Sequence, residues 1–328
     1  MVALGHLLMS AAASGLQLNN SARVSLPETQ DGSCGKVAGF QCSVGDCCSQ
    51  YSFCGSTVDY CGAGCQPEFG LCTNVPTHTS KIVATTTKTT ITTSSDIPSS
   101  TSYPAPDPKK RAKIITGCTK PGVFAFTLDD GPTTNVTDIL DVLKKNKVKV
   151  TFFVNGRNFA DLTTEPYISI LSRAYNEGHQ IASHTLTHPD MKTLTADQMW
   201  HEMKDNDDLI RAIIGKSPTY MRPPYGNTND LVLNAMGTWG YKVITWNLDS
   251  ADWDHDGKPD MIALNEAAYQ EDLKGHPLPY TSFISLQHDF VVDEVTWIQI
   301  VINKFKALKY KFVTVGECLG DRPANWYR

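Results

Sequence analysis

An apolar run ends in two adjacent carboxylates in the segment Val123-Phe124-Ala125-Phe126-Thr127-Leu128-Asp129-Asp130-Gly131-Pro132. Its aromatic and β-branched residues predict a buried strand, and the Gly-Pro pair predicts a sharp turn directly after it. Both carboxylates would then stand at the carboxyl end of this strand. A plainer interpretation is also open, in which Asp130 is only a turn residue that caps a following helix.

Strand and helix signals alternate from this segment onward. Seven apolar runs predict strands near residues 122–128, 148–154, 180–183, 219–222, 242–248, 282–287 and 312–315. Amphipathic stretches predict helices at residues 136–145, 167–176, 195–214, 231–237, 261–273 and 295–308. Because strands that alternate with helices form parallel sheets, we expect an α/β fold, a distorted (β/α)7 barrel with its chemistry at the carboxyl ends of the strands.

Two histidines follow the third predicted strand, in His184-Thr185-Leu186-Thr187-His188. An i, i+4 spacing on one helical turn would project both rings to the same side, as metal ligation requires. One carboxylate and two histidines are the ligand set of a catalytic zinc-type site, and a second carboxylate beside it can act as a base. By itself the spacing also fits two surface histidines.

Three further strand ends carry polar and aromatic residues. Arg222-Pro223-Pro224-Tyr225-Gly226 is a rigid exit that could hold Arg222 against a carboxylate and fix the backbone N–H of Tyr225, or could be structural only. Asp249-Ser250-Ala251-Asp252-Trp253 adds a carboxylate and a flat wall. Ile284-Ser285-Leu286-Gln287-His288 ends in a histidine that is suited to general acid catalysis.

Eight of the ten cysteines lie between Cys34 and Cys72, in a segment with few aliphatic residues. So short a segment cannot bury enough apolar surface to fold unaided, so the cysteines predict a disulfide framework and an oxidising compartment. A zinc module is the alternative, but the Cys-x-x-Cys spacings of such modules do not occur here. Cys118 and Cys318 suggest a further disulfide across the large domain, with two unrelated thiols as the alternative.

The remaining segments predict export and a linker. Residues 1–18 are expected to be a signal peptide, although they lack its usual positive charge. Residues 74–112 are rich in Ser, Thr and Pro, as in an extended, O-glycosylated linker. The linker ends in Lys109-Lys110-Arg111, which is either a solubilising charge cluster or a dibasic processing site. Asn19-Asn20-Ser21 and Asn135-Val136-Thr137 are permissible N-glycosylation sequons.

Charge and hydropathy exclude two classes of partner. The net charge of -5 gives no basic footprint, so we expect no nucleic-acid partner. No apolar run reaches the roughly 18 residues that are needed to span a bilayer. From the predicted disulfides and signal peptide we expect a secreted protein, extracellular or in a cell wall, and we expect it to be a monomer.

The five strand-end motifs, in this order, resemble those of the polysaccharide deacetylases, carbohydrate esterase family 4, which share the NodB-homology domain. The family motifs are usually written T-F-D-D-G, H-[ST]-x-x-H, R-x-P-[YF], D-x-x-D-W and L-x-L-x-H. Leu128 and Ile284 depart from them but remain apolar. The resemblance covers residues from about 118 to 318, and we expect the domain to occupy residues 113–322.

The resemblance implies a metal site and a base. Asp130, His184 and His188 would hold a divalent metal, which would polarise an acetamide carbonyl and acidify a water molecule. Zn2+ is the expected metal, with Co2+ or Mn2+ as alternatives. Asp129 would be the general base that takes the proton of this water. Arg222 would keep Asp129 ionised and oriented.

It also implies an acid and a substrate pocket. His288 would protonate the departing amine, with Asp252 as its partner. The backbone N–H of Tyr225 would stabilise the tetrahedral oxyanion. Trp253 and Leu286 would line the pocket for the acetyl methyl group.

The cysteine segment, residues 31–73, resembles the hevein-like, type 1 chitin-binding modules in Cys47-Cys48-Ser49-Gln50-Tyr51-Ser52-Phe53-Cys54 and Tyr60-Cys61-Gly62. The resemblance implies that N-acetylglucosamine binds to Ser49, Tyr51, Phe53 and Tyr60. The alternative is that these aromatic residues form the small core of the module. The resemblance also implies the disulfides Cys34–Cys48, Cys42–Cys54, Cys47–Cys61 and Cys65–Cys72.

Together the two resemblances imply a metal-dependent chitin deacetylase that converts N-acetylglucosamine units to glucosamine and releases acetate. Its partners would be chitin and chito-oligosaccharides. Two alternatives stay open: a peptidoglycan or acetyl-xylan deacetylase of the same fold, and a chitin-binding lectin whose barrel has no activity.

Overall fold

The computed structural model of this chain describes residues 34–35, 40–43, 46–49, 54–55, 61, 65–72 and 103–328. The chain divides into two compact units, one up to Ser95 and one from Asp96 onward. The predicted signal peptide and most of the predicted linker lie outside the described residues. Among the described residues, no helix is long and apolar enough to cross a membrane.

The smaller unit is built on disulfides. Its four pairs are Cys34–Cys48, Cys42–Cys54, Cys47–Cys61 and Cys65–Cys72. Two short antiparallel strands, β1 (Cys47–Cys48) and β2 (Cys54–Gly55), contain three of these cysteines, each from a different pair. Cys34, Cys42 and Cys48 are buried together, so the sulfur atoms supply much of the apolar core that a segment of this size lacks.

The larger unit alternates strands and helices. Its strands are β3 (Ile114–Ile115), β4 (Val123–Ala125), β5 (Thr127–Asp129), β6 (Thr151–Val154), β7 (Gln180–Ser183), β8 (Tyr220–Met221), β9 (Lys242–Ile244), β10 (Leu248–Asp249), β11 (Phe283–Leu286) and β12 (Lys311–Val313). Its helices are α1 (Val136–Asn146), α2 (Tyr167–Asn176), α3 (Ala196–Ile214), α4 (Asp230–Thr238), α5 (Asp252–His255), α6 (Met261–Asp272), α7 (Glu294–Ala307) and α8 (Val315–Cys318).

These strands form two parallel sheets that share interrupted strands. One sheet has the order β3-β9-β8-β7-β6-β5, and the other has the order β10-β11-β4-β12. β4 and β5 are halves of one run, as are β9 and β10, so each run passes from one sheet to the other. A parallel bridge between Asp129 and His288 joins the sheets again at the carboxyl ends. The predicted distorted (β/α)7 barrel is confirmed.

The helices cover the barrel because their apolar residues recur with helical spacing. In α1, Val136, Ile139, Leu140 and Leu143 are all buried, following the i, i+3, i+4, i+7 pattern of the sequence. Each such side chain contributes about 1.5–3 kcal/mol when fully buried. All six predicted helices are present, and every end agrees with the prediction to within one residue.

The start of α1 settles two questions about polar residues. The helix begins at Val136 with Asn135 before it, so Asp130 is not its cap. Nδ2 of Asn135 donates to the carbonyl of Asp289 at 3.2 Å. Nδ2 is the atom that would carry an N-glycan. In the folded chain this atom of Asn135 is engaged in an internal hydrogen bond instead.

Both ends of the larger unit extend beyond residues 113–322. Residues 103–112 lie on α4, where the backbone N–H of Ala112 donates to the carbonyl of Leu233 at 2.9 Å. At the other end Trp326 is buried. Cys118 and Cys318 form a disulfide that fixes the segment before β4 to α8. The packed fold therefore includes residues that composition alone assigned to the linker.

Candidate active site

The predicted catalytic residues converge at the carboxyl ends of the strands. Asp129 ends β5, while His184 and Arg222 follow β7 and β8 directly. Asp252 begins α5 just after β10, and His288 follows β11. Because all these strands are parallel, residues that are distant in the sequence meet at one face of the barrel.

Asp130, His184 and His188 form a compact set of ligand atoms. Oδ1 of Asp130 lies 3.3 Å from Nε2 of His184 and 3.2 Å from Nε2 of His188. The three ligand atoms all lie within 4.8 Å of one another. Two ligands of one tetrahedral zinc ion are roughly 3.4 Å apart when each is about 2.1 Å from the ion. The observed separations fit a divalent metal between these atoms.

The hydrogen bonding of His184 supports the same conclusion. Its Nδ1 lies 2.7 Å from the carbonyl oxygen of Arg222, so Nδ1 carries the proton. In the neutral ring Nε2 then presents a lone pair toward Asp130. Oδ1 of Asp130 is buried and has no hydrogen-bond partner. Two electron-pair donors that face one another are satisfied by a cation, so these residues fit a metal site.

The pKa values of two ligands favour the metal-binding protonation states. Burial acts to raise the pKa of Asp130, but the adjacent imidazoles of His184, His288 and His188 lower it to about 2. Burial, with the nearby His184, lowers the pKa of His188 to about 4. At neutral pH Asp130 is therefore ionised and His188 is neutral, as coordination requires.

The prediction that His184 and His188 share a helical turn is wrong. Residues 184–188 form a loop in which Thr185 (φ 73°) and His188 (φ 61°) are left-handed. Nδ2 of Asn155 donates to the carbonyls of His184 at 2.6 Å and Thr185 at 2.9 Å, which fixes the loop. The two imidazole centroids are 4.9 Å apart. A bonded loop thus brings the rings together as a helix would.

The turn after β5 separates the two neighbouring carboxylates. Asp130 is left-handed, with φ 75°, so its side chain leaves the backbone in a different direction from that of Asp129. A Cβ on Gly131 would lie 1.6 Å from a carboxylate oxygen of Asp289, so only glycine fits at this position. The backbone N–H of Asn155 donates to the carbonyl of Gly131 at 3.0 Å. The turn is held on both sides.

Asp129 is bound to a buried arginine. Nη1 of Arg222 donates to Oδ1 of Asp129 at 2.8 Å and to Oγ1 of Thr127 at 2.8 Å. Nη2 donates to the carbonyl of Thr245 at 3.1 Å, and the guanidinium lies 4.2 Å from the ring centroid of Phe153. Arg222 is fully buried, so Asp129 has a fixed, charged partner on one side. The other carboxylate oxygen of Asp129, Oδ2, lies 3.9 Å from Nε2 of His184.

Asp252 and His288 form a second buried pair. Nδ1 of His288 is 2.9 Å from Oδ1 of Asp252, and the backbone N–H of His288 donates to Oδ2 at 2.7 Å. Burial acts to lower the pKa of His288, but the charge of Asp252 and its hydrogen bond raise it to about 9. Nδ1 is therefore committed to Asp252, and a protonated His288 can offer Nε2–H to a substrate.

The other expected pocket residues differ in exposure. Tyr225 is left-handed, with φ 60°, and its exposed ring lies 4.7 Å from the ring of His188. Trp253 is exposed, whereas Leu286, the last residue of β11, is 5 % exposed. The three residues follow or end different strands at the carboxyl ends, and their contacts with a substrate remain a prediction.

Of the four residues expected to bind chitin, only Ser49 is described. Its side chain is buried, at 3 % exposure, and its carbonyl accepts a hydrogen bond from Nε2 of Gln66 at 2.7 Å. Tyr51, Phe53 and Tyr60 lie outside the described residues. Their assignment remains a prediction.

Sequence reasoning missed three supporting residues. Thr127 and Phe153 hold Arg222, and Asn155 holds the histidine loop. Asn155 follows the carboxyl end of β6, so the rule that found the other motifs could have found it. Phe153 looks like any core residue in the sequence, and only its contact with Arg222 distinguishes it.

Comparison with known proteins agrees with this geometry. The family described as polysaccharide deacetylase matches residues 116–244, and the family described as chitin recognition protein matches residues 33–72. A chitin deacetylase of Pestalotiopsis sp is 43% identical over 216 residues, which are 66% of this chain and 70% of that protein. A probable peptidoglycan-N-acetylglucosamine deacetylase of Arthroderma benhamiae is 40% identical over 66% of this chain and 48% of its own length.

A solved structure extends the likeness to three dimensions. The chitin deacetylase of the fungal pathogen Colletotrichum lindemuthianum superposes with a TM-score of 0.64 at 37% identity, over 66% of this chain and 96% of that one. The similarity therefore covers about two thirds of this chain and almost all of the solved enzyme. This chain belongs to the polysaccharide deacetylase family.

Proposed function

We propose that this protein is a secreted, metal-dependent chitin deacetylase, which hydrolyses the N-acetyl groups of N-acetylglucosamine units to give chitosan and acetate. One observation carries the proposal: a carboxylate bound to a buried arginine, Asp129 with Arg222, stands beside the metal-binding set of Asp130 and two histidines. A base next to a metal site is the arrangement that hydrolysis of an unreactive amide needs.

The first half of the reaction uses Asp129. Asp130, His184 and His188 would hold a divalent metal, which would supply the Lewis acidity that polarises a carbonyl and makes a water molecule more acidic. Asp129 accepts a proton from the attacking water molecule while the oxygen of that water bonds to the acetyl carbon. Arg222 holds Asp129 in place, since its guanidinium is fully buried and its Nη1 lies 2.8 Å from Oδ1 of Asp129.

The second half uses Tyr225 and His288. The backbone N–H of Tyr225 donates to the oxygen that gains negative charge in the tetrahedral intermediate. His288 gives its Nε2 proton to the sugar nitrogen as the carbon–nitrogen bond breaks, so the free amine and acetate leave. Asp252 supports this step because it holds Nδ1 of His288 at 2.9 Å and stabilises the protonated ring.

The nature of the polymer follows from the two-unit organisation. A disulfide-built unit that matches a chitin recognition family stands on the same chain as the deacetylase unit. Relatives named chitin deacetylase support the same substrate. Tyr51, Phe53, Tyr60 and Ser49 would bind chitin and hold the barrel near its substrate. A lectin without activity would have no need for the buried Asp129–Arg222 and Asp252–His288 pairs.

Two finer features belong to the proposal. Zinc is the expected metal, because two histidines and one carboxylate are a common catalytic zinc set, with Co2+ or Mn2+ as replacements. Secretion is expected because five disulfides persist in an oxidising compartment.

The test is acetate release from chitin oligomers, peptidoglycan and acetyl-xylan by the full chain. We expect release from chitin oligomers, loss of release after chelation, and recovery when Zn2+ is added back. Release that survives complete metal removal would overturn the metal mechanism. A preference for peptidoglycan or acetyl-xylan would overturn the substrate, and no release from any of them would favour the lectin.

A further inference from the structure

The histidine loop, residues 184–188, contains two residues in an unfavourable backbone conformation. Thr185 and His188 are both left-handed, with φ 73° and 61°, a region that residues other than glycine rarely adopt. Such residues persist where the surrounding structure holds them. Asn155 holds the carbonyls of His184 and Thr185, at the start of the loop. His188 lies at the other end, so a different contact must fix it.

The ring of His188 has less support than the ring of the other histidine. Nδ1 of His184 is held by the carbonyl of Arg222 at 2.7 Å. Among the residues that the structure describes, the ring of His188 makes no hydrogen bond of this kind. Its centroid lies 4.7 Å from that of Tyr225, and its Nε2 lies 3.2 Å from Oδ1 of Asp130. The place of this ring therefore depends on the backbone that carries it.

Glu202 holds the residue directly before His188. Its Oε2 accepts a hydrogen bond from the backbone N–H of Thr187 at 2.9 Å, and its Oε1 accepts one from Oγ1 of Thr187 at 2.7 Å. Because both carboxylate oxygens bind one residue, they fix its orientation as well as its position. Burial raises the pKa of Glu202, whereas both hydrogen bonds act to lower it, so the loop favours an ionised carboxylate at this place.

Helix α3, which carries Glu202, is tied to the strands that lead to the site. One turn further along the helix, Nδ2 of Asn206 donates to the carbonyl of Val154 at 2.9 Å and to Oγ of Ser183 at 2.8 Å. Val154 ends β6, and Ser183 ends β7, the strand directly before the histidine loop. The helix therefore gives Glu202 a fixed place relative to the barrel.

We propose that Glu202 is a positioning residue of the metal site: it holds Thr187, and through it His188, where the imidazole can coordinate a divalent metal together with Asp130. This inference rests on the metal site of the proposed function. Both oxygens of Glu202 are engaged by Thr187, so the effect of Glu202 on the metal passes through the backbone of the loop. Loss of a hydrogen-bonding group behind a metal ligand typically weakens metal binding about 10–100-fold.

The test is titration of the metal-free full chain with Zn2+ and with Co2+, whose visible absorption reports the coordination geometry. In Glu202→Ala the dissociation constant should rise at least about tenfold. The absorption of the cobalt-saturated variant should also differ from that of the wild type, because His188 is displaced. Glu202→Gln should recover most of the affinity and the wild-type spectrum, since its amide oxygen can accept from the N–H of Thr187 while its NH2 donates to Oγ1.

Two further variants complete the experiment. Asp205→Asn is the control: Asp205 is exposed on the same helix and pairs with His201 at 3.5 Å, so this substitution removes a nearby charge but leaves the hydrogen bonds to Thr187 in place. We expect wild-type affinity and spectrum. Thr187→Val removes one of the two hydrogen bonds from the side of the loop and should weaken the binding of both metals several-fold. It serves the same purpose should Glu202→Ala not fold.

The other results decide against the positioning role. Wild-type affinity and an unchanged cobalt spectrum in Glu202→Ala, or in Thr187→Val, would refute it. Equal losses in Glu202→Ala and Glu202→Gln would show that the charge acts rather than the hydrogen bonds, and an equal loss in Asp205→Asn would show a general effect of the helix. If the wild type itself bound neither metal, the metal mechanism of the proposed function would fail, which no difference between variants can imitate.

Discussion

At the scale of single residues, the site depends on two neighbouring carboxylates, Asp129 and Asp130, that contact different side chains. Asp129 is held by Arg222 at 2.8 Å, while Oδ1 of Asp130 faces two imidazole nitrogens at 3.2 and 3.3 Å. The left-handed conformation of Asp130 separates the two side chains. One carboxylate is thus free to exchange a proton, and the other is free to coordinate.

The Asp252–His288 pair makes a pH-dependence prediction. A raised pKa keeps the acid protonated up to higher pH, and activity is lost as the pH rises through that pKa. Asp252 opposes the effect of burial and raises the pKa of His288 to about 9. In Asp252→Asn the pKa of His288 should fall, so the alkaline limb of kcat/KM should move to lower pH by at least about one unit.

The matched control is Asp254→Asn, which removes a charge on the same helix from a residue that pairs with Lys258 at the surface. We expect its pH profile of acetate release to equal that of the wild type. An Asp252→Asn variant with an unshifted alkaline limb would show that another group sets the limb.

At the scale of elements, the loop at residues 184–188 carries the clearest lesson about sequence. The spacing of His184 and His188 indicates that both rings face one side, but it does not reveal which backbone achieves this. The structure uses two left-handed residues and the hydrogen bonds of Asn155 instead of a helical turn. The ligand set could be predicted, whereas the element that holds it could not.

Asn155→Ala should therefore weaken the metal site. The substitution removes two hydrogen bonds to the histidine loop, and losses around metal ligands typically cost about 10–100-fold in affinity. Titration of the metal-free protein with Zn2+ or Co2+ measures the effect. Asn146→Ala is the control, because it also removes the side-chain hydrogen bonds of an asparagine, here with Val142 and Gln299, but at the far end of α1.

If both variants bound metal as tightly as the wild type, the role of Asn155 would be refuted. Equal weakening in both would point to a general loss of stability. Thermal unfolding of the metal-free proteins separates the two causes, since the positioning role requires a change in affinity beyond any shared loss of stability.

The predictability of the elements has a physical basis. Helices such as α1 were predictable because one buried face requires apolar residues at every third or fourth position of the sequence. The strand-end motifs were predictable because parallel strands bring their carboxyl ends together. The contact of Phe159 with Phe290 was not, since it joins loops that are distant in the sequence and neither residue has a local pattern.

At the scale of the whole molecule, the segment before the barrel bears on processing. Lys109, Lys110 and Arg111 have exposed side chains, but their backbone lies on α4. The backbone N–H of Asp107 donates to Oγ1 of Thr238 at 2.7 Å, and the side chain of Arg111 pairs with Asp230. A protease must draw a segment out into an extended form, so this packing opposes cleavage at the dibasic site.

Gly237→Ala should expose that site to cleavage. A Cβ at Gly237 would lie 1.8 Å from the carbonyl oxygen of Lys110, so the segment must shift away, while alanine favours the helix itself. We expect a trypsin-like protease to cut residues 109–112 slowly in the wild type and several-fold faster in Gly237→Ala, as measured by mass spectrometry of the fragments.

Gly117→Ala is the control for this experiment, because a Cβ there has room, with its nearest neighbour at 3.6 Å. Rapid cleavage of the wild type at residues 109–112, equal to that of Gly237→Ala, would show that the packing does not protect the segment. The processing hypothesis would then regain support.

The division of labour between Asp129 and Asp130 is the central claim, and one paired measurement tests it. Bound metal and acetate release from chitin oligomers are measured together in Asp129→Asn and Asp130→Asn. Asp129→Asn should keep its metal and lose at least about 100-fold in kcat, because it lacks the base. Asp130→Asn should lose both. An Asp129→Asn variant that keeps its turnover, or that loses its metal as Asp130→Asn does, would contradict the account.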